Sequence, residues 1–314
     1  VPTHHEDHPL NLRVAVASLT ALPILALASS AFADPAPAAA PAAAPEGRYP
    51  VAQAERPLTL PKMVLTANAD LNIASYSSPG GLGGSSSFLN LGLGAAFGIT
   101  DDLSVRAMVL PLQLTGPAGS GFHYGQYTGL AGIGSPGPSA GATYRFMKTD
   151  LLEVGGALDV GILSITGISG FMVTPGVPVR IHATKEIRID TGAFIPILNE
   201  SITVSGGAFG GSSSASTTVE GLNIPVSALY DINEPIHVGV ATGFGIGSFK
   251  DVGNSTAVPL GIFAGYALQG SQGPMLDIDP YFMFPALLTP GNAAGSTSTN
   301  VWVLGVTATG YYYL

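Results

Sequence analysis

The chain has 314 residues, no cysteine and a formal net charge of −9. These facts exclude a disulfide framework, a thiol nucleophile, a Cys-based zinc site and a Cys-linked lipid anchor, and the charge argues against a nucleic-acid partner. Only 10% of residues are charged and mean hydropathy is +0.40, yet no apolar run after residue 33 reaches the roughly 18 residues of a membrane helix.

The stretch LRVAVASLTALPILALASSAFA reads as a secretory signal peptide. Arg13 gives the positive flank, Val14 to Leu27 the apolar run, and Ala31-Phe32-Ala33 an A-x-A cleavage site. Residues 1–33 are therefore expected to be a signal helix, cleaved after Ala33. His4, His5 and His8 would leave with it, and no metal or other cofactor is expected. The Ala/Pro-rich stretch that follows predicts a disordered linker over residues 34–60.

Residues 61–314 then alternate with period two. The first strand sets Leu65, Ala67, Ala69, Leu71 and Ile73 against Thr66, Asn68, Asp70 and Asn72. Leu89 to Leu110 is a hairpin about Asp101-Asp102. Further strands carry Ala142, Tyr144 and Phe146; Leu158, Val160 and Ile162; Phe171, Val177 and Val179; and Ile187, Ile189 and Ile195. They continue through Ile224, Val226 and Tyr230; Val238, Val240 and Phe244; Leu260, Ile262 and Tyr266; Ile278 and Phe282; and Trp302, Leu304 and Tyr312. About twelve strands result, each near the roughly 9–11 residues that a tilted strand needs to cross a bilayer.

The connections alternate in length. KTD, TKE, DINEP and QGSQGP are short. The Gly/Ser-rich stretches at 77–87, 115–137, 199–218 and 289–299 read as loops. Loop 115–137, with Phe122, His123, Tyr124 and Tyr127, reads either as a constriction or as a surface binding element. Short turns at one end and long loops at the other, with aromatics at both ends of the apolar face, form the pattern of a membrane barrel.

With its A-x-A leader, the turn ITDDLSV and the C-terminal VWVLGVTATGYYYL, the chain resembles Gram-negative outer-membrane β-barrel proteins of porin-like type. The resemblance implies an all-β antiparallel transmembrane barrel in the outer membrane, in contact with its lipids. It also implies a C-terminal strand read by the barrel-assembly machinery, although Leu314 stands where that family ends in Phe.

The polar parity carries the charges: Asp70, Arg106, Arg145, Glu153, Asp159, Arg180, His182, Arg188, Asp190, His237, Asp277 and Asp279. In a barrel these line the lumen and are the candidates for selectivity. Arg145 is positioned to pair with Glu153, and Arg180 or Arg188 with Asp159 or Asp190. Lumen-facing Gly92, Gly94, Gly98, Gly239, Gly243 and Gly245 suggest open space. Two functional readings follow: a narrow channel for small polar solutes, and a non-conducting structural or surface-interaction barrel with a salt-bridged lumen. A lipid-modifying enzyme is a weaker third. Neither G-x-S-x-G nor H-E-x-x-H occurs, and His182 and His237 have lumen parity, so no catalytic residue is expected.

Overall fold

A computed structural model describes residues 49–77, 85–115, 138–165, 168–205, 212–288, 299 and 301–314. The predicted signal peptide, residues 34–48 of the predicted linker and nearly all of loop 115–137 lie outside the described residues.

Period-two patterning produces strands where it is expected. They are β1 (Val64–Ser77), β2 (Ser85–Gly98), β3 (Leu103–Thr115), β4 (Ser139–Lys148), β5 (Leu152–Ile165), β6 (Ile168–His182) and β7 (Ile187–Phe194). The series continues with β8 (Ile197–Ser205), β9 (Ser212–Glu220), β10 (Leu222–Asn233), β11 (Ile236–Ile246), β12 (Thr256–Gln269), β13 (Pro274–Leu288) and β14 (Val301–Tyr313). Every pairing is antiparallel. β1 joins β14 in the register Leu65↔Tyr312, and the sheet closes on itself. Closure leaves no sheet edge in the barrel wall, which a membrane interior demands.

Twelve strands form that wall, β1 to β7 and β10 to β14. The pair β8–β9 continues from it as a hairpin. β6 leaves β7 at Gly176↔Phe194 and runs on against β8 from Val173↔Ile197. The interruption has a local cause. Pro196 has no N–H to give a ladder, and the Pro196 carbonyl instead accepts from Gly221 N at 3.0 Å, where β9 gives way to β10. The expectation of a loop over 199–218 is thus corrected: β8 and β9 occupy most of it. Its Ser-rich composition reads as loop, but Ile202, Thr203, Val204, Thr217, Thr218 and Val219 are β-branched and suit a ladder.

The two faces of the wall sort as the alternation dictates. Tyr144, Phe146, Leu158, Val160, Ile162, Val240, Ile262 and Leu304 are exposed, whereas Asn72, Arg145, Glu153 and Asp277 are buried. A water-soluble sandwich would show the reverse. This inversion marks the outer face as the one wetted by lipid. Exposed Phe146, Tyr230, Tyr266 and Tyr312 ring the end with the short turns, and exposed Phe171 lies toward the other. Trp302 joins Phe171 there, its ring 6.3 Å from that of Phe282. The placement predicts a depth-dependent penalty. Ile262→Arg, in the middle of β12, should lower the unfolding free energy in bilayers by about 2–4 kcal/mol. Urea titration of the lipid-embedded protein checks this; an unchanged midpoint would mean that Ile262 does not face acyl chains.

Candidate functional site

The barrel is not empty at the short-turn end. Residues 49–62, which precede β1, run through the mouth and bind the wall along their length. The expectation of a disordered linker through residue 60 is therefore corrected for residues 49–60. The physical reason is a supply of buried partners. Most of the backbone and side-chain donors and acceptors discussed below meet a charged group of the wall.

A single 3-10 turn, Gln53–Glu55, sits at the centre of this segment. Ala54 N donates to Asp231 Oδ2 at 2.7 Å, and Ala54 O lies 2.8 Å from His182 Nδ1. Leu58 N donates to Glu153 Oε2 at 2.7 Å. Thr59 Oγ1 donates to Asp101 O at 2.7 Å, and Lys62 N to Asp101 Oδ1 at 2.9 Å. Arg188 donates to Gln53 O, and Arg180 donates to Arg56 O and Pro57 O. Gly98 makes room where the segment turns into β1: a Cβ there would lie 1.9 Å from Pro61 O.

Arg56 is the centre of the contact. Its side chain is 3% exposed and that of Asp277 1%. All five guanidinium N–H groups find acceptors. Nε donates to Pro50 O at 3.0 Å, and Nη2 to Val51 O at 2.8 Å and to Asp277 Oδ1 at 3.1 Å. Nη1 donates to Asp277 Oδ2 and, at 2.8 Å, to Tyr311 Oη. Tyr311 in turn donates to Asp277 Oδ2 at 2.6 Å, and Gln53 Nε2 to the same oxygen at 2.9 Å. The rings of Tyr49 and Tyr311 lie 5.5 and 5.2 Å from the guanidinium carbon, within cation–π range. Burial works against the charge on Arg56, but the Asp277 hydrogen bonds and the surrounding groups outweigh it and hold the guanidinium protonated. Burial also pushes the Tyr49 phenol up, so that ring stays neutral.

The other predicted residues divide into five groups. Arg145 bridges Glu153 Oε2 at 3.0 Å and Asp102 Oδ1 at 2.7 Å, and His182 Nε2 lies 3.3 Å from Glu153 Oε1. Asp190 is shared by Arg180, at 2.6 Å, and Arg188, at 3.0 Å. Asp159 pairs with Arg106 at 2.5 Å rather than with Arg180 or Arg188. Further along the bore, Asp70 accepts from Tyr281 Oη at 3.1 Å and Thr307 Oγ1 at 2.8 Å. His237 Nε2 stands 3.1 Å from Asp279 Oδ1. Among the described residues, no His, Asp and Glu group has the arrangement of a metal site.

No family model matches the sequence, and no curated protein sequence does. Solved structures do. The translocator domain of the autotransporter NalP from Neisseria meningitidis superposes with a TM-score of 0.50 at 10% identity, covering 96% of this chain and 97% of that one. An outer-membrane channel from Pseudomonas putida F1 gives a TM-score of 0.51 at 9% identity, covering 81% of this chain and 97% of the other. This chain has the fold of an outer-membrane β-barrel. At such identities the likeness is one of fold, and it agrees with the apolar belt that faces lipid.

Two of the cavities bordered by the described residues lie within that barrel. The larger, about 570 Å³, is lined by Asn68, Arg106, Asp159, Thr174, Asn223 and Thr309, among others. The smaller, about 220 Å³, lies against segment 49–62 and includes Tyr49, Arg56, Ser104, Arg106, Arg180 and Arg188 in its wall. Arg106 and Ala96 border both. The glycines do less to widen the bore than their number suggests. A Cβ at Gly239 would lie 2.1 Å from the Phe263 ring, and one at Gly94 2.6 Å from Asn68 Oδ1. These glycines accept neighbouring side chains.

The residues missed by sequence reading are Arg56, Asp231, Tyr281 and Tyr311. Arg56 had a weak signal: it is the middle one of three cations, with Arg48 and Lys62, between an Ala/Pro-rich stretch and the first strand. Tyr311 had one too, because its parity is that of Thr309 and Thr307, facing inward beside outward Tyr312.

Proposed function

We propose that this protein is a passive channel for small polar solutes in the outer membrane of a Gram-negative bacterium, and that segment 49–62 closes down its short-turn end. The observation that carries this reading is the cavity of about 570 Å³ within the barrel, with Arg106, Asp159 and six neutral polar side chains in its wall. A bore of twelve strands lies between barrels filled by side chains and the open porins. Catalysis is not part of the proposal, because His182 and His237 are both engaged inside the barrel, by the segment and by Asp279. The C-terminal strand, held by thirteen register pairs to β1, is proposed as the element that the assembly machinery recognises.

Purified protein in planar bilayers tests the reading. Small, discrete conductance steps are expected from the full chain, together with slow swelling of liposomes in small polar solutes. The segment-bound lumen favours the alternative, a non-conducting barrel. Silence in both assays, with the segment present and with it deleted, would establish that alternative.

A further inference from the structure

We infer that the 220 Å³ cavity between segment 49–62 and the wall is a binding site for a small oxyanion, a phosphate or a carboxylate. The inference rests on the channel reading only for the route by which the anion arrives; binding itself does not depend on conduction.

Charge is the first argument. Four guanidinium groups, Arg56, Arg106, Arg180 and Arg188, border this one small space, and no carboxylate is among its lining residues. Their partners do not cancel them fully. Asp277 matches Arg56 and Asp159 matches Arg106, but the single carboxylate of Asp190 serves both Arg180 and Arg188. Arg180 and Arg188 thus have one ion-paired carboxylate between them.

Arg188 also has an unmatched donor. The Arg188 side chain is only 11% exposed. Its Nη1 donates to Gln53 O, but its Nε, although 3.0 Å from Asp190 Oδ2, lacks hydrogen-bond geometry and is buried without a partner. A buried donor on a charged group costs free energy unless an acceptor reaches it. An anion would supply that acceptor, and hydrogen bonds to a guanidinium are among the strong ones. Ser104 and Tyr49 add hydroxyls to the same wall. The approach is built in as well. Arg106, 44% exposed, borders the larger cavity and this one, so an anion in the lumen meets a cation at the entrance.

The experiment is titration calorimetry of the detergent-solubilised full chain with sodium phosphate and, separately, sodium acetate, at an ionic strength held constant with chloride. Saturable binding of at least one is expected. Arg188→Met should weaken it by about tenfold or more, since it removes the unpartnered donor and the charge while Arg180 keeps Asp190 paired. Arg188→Lys should fall between the two. Absence of saturable heat with both anions overturns the proposal, and that measurement needs no variant. Binding that Arg188→Met leaves unchanged overturns it equally. Binding without any bilayer conductance would instead count against the channel reading and leave this site standing.

Discussion

Deleting residues 49–60 raises the single-channel conductance by roughly tenfold, because the bore of a twelve-strand barrel is then limited by its wall and not by a second layer of chain. The deletion removes every group that crosses the short-turn mouth from Tyr49 to Leu60. It leaves the wall intact, since closure depends on the β1–β14 ladder from Val64↔Tyr313 to Tyr76↔Val301 and not on the segment. The wall charges that lose a partner in the segment, Asp231, Glu153, Arg180, Arg188 and Asp277, would then face water in an open bore. Water replaces the lost hydrogen bonds, so the barrel should still fold and show heat-modifiable migration. Planar-bilayer recordings of the two proteins at equal ionic strength provide the check. Equal conductance would show that the narrow point lies elsewhere, with the lumen side chains or beyond the described residues.

The barrel itself was legible in the sequence because lipid-facing strands obey a strict rule. One parity must be apolar and the other is free to carry charge, so residues such as Arg106, Asp159, Arg180 and Asp190 announce their direction. The count of wall strands survived even where Pro196 and Gly221 interrupt ladders, because the ribbons on either side keep their direction. Segment 49–62 was not legible. It has no period, and its order comes from wall groups up to 255 positions away in sequence, as with Arg56 and Tyr311. Composition can report that such a stretch lacks a core of its own; it cannot report that a ring of carboxylates and guanidiniums is waiting for it. The same limit hid the true partner of Asp159. Spacing along the chain suggested neighbours such as Arg180, whereas β3, β4 and β5 lie side by side and bring Arg106 to it across Gly141.

Asp277→Asn should release segment 49–62 without unfolding the barrel. Asparagine keeps the shape but leaves the Arg56 guanidinium buried without its counter-charge, an arrangement that costs about 3–5 kcal/mol when both groups are as deeply buried as these. The wall cannot escape that cost by moving, but the segment can. Undocking returns Arg56 to water and exposes no membrane-facing surface, so the penalty is relieved at the expense of the segment's other bonds. The expected signature is therefore local: faster cleavage by a glutamyl endopeptidase after Glu55, a higher and noisier conductance, and a nearly unchanged barrel melting temperature. Arg56→Leu combined with Asp277→Leu separates charge from mere contact. If the pair acts by compensating two buried charges, the double variant should recover much of the protease resistance lost by Asp277→Asn, since apolar groups of similar size can replace a buried ion pair at little cost. If resistance falls further in the double variant, the bond network through Tyr311, Gln53 and Val51 holds the segment, and the Arg56–Asp277 charge pair contributes less than its burial suggests.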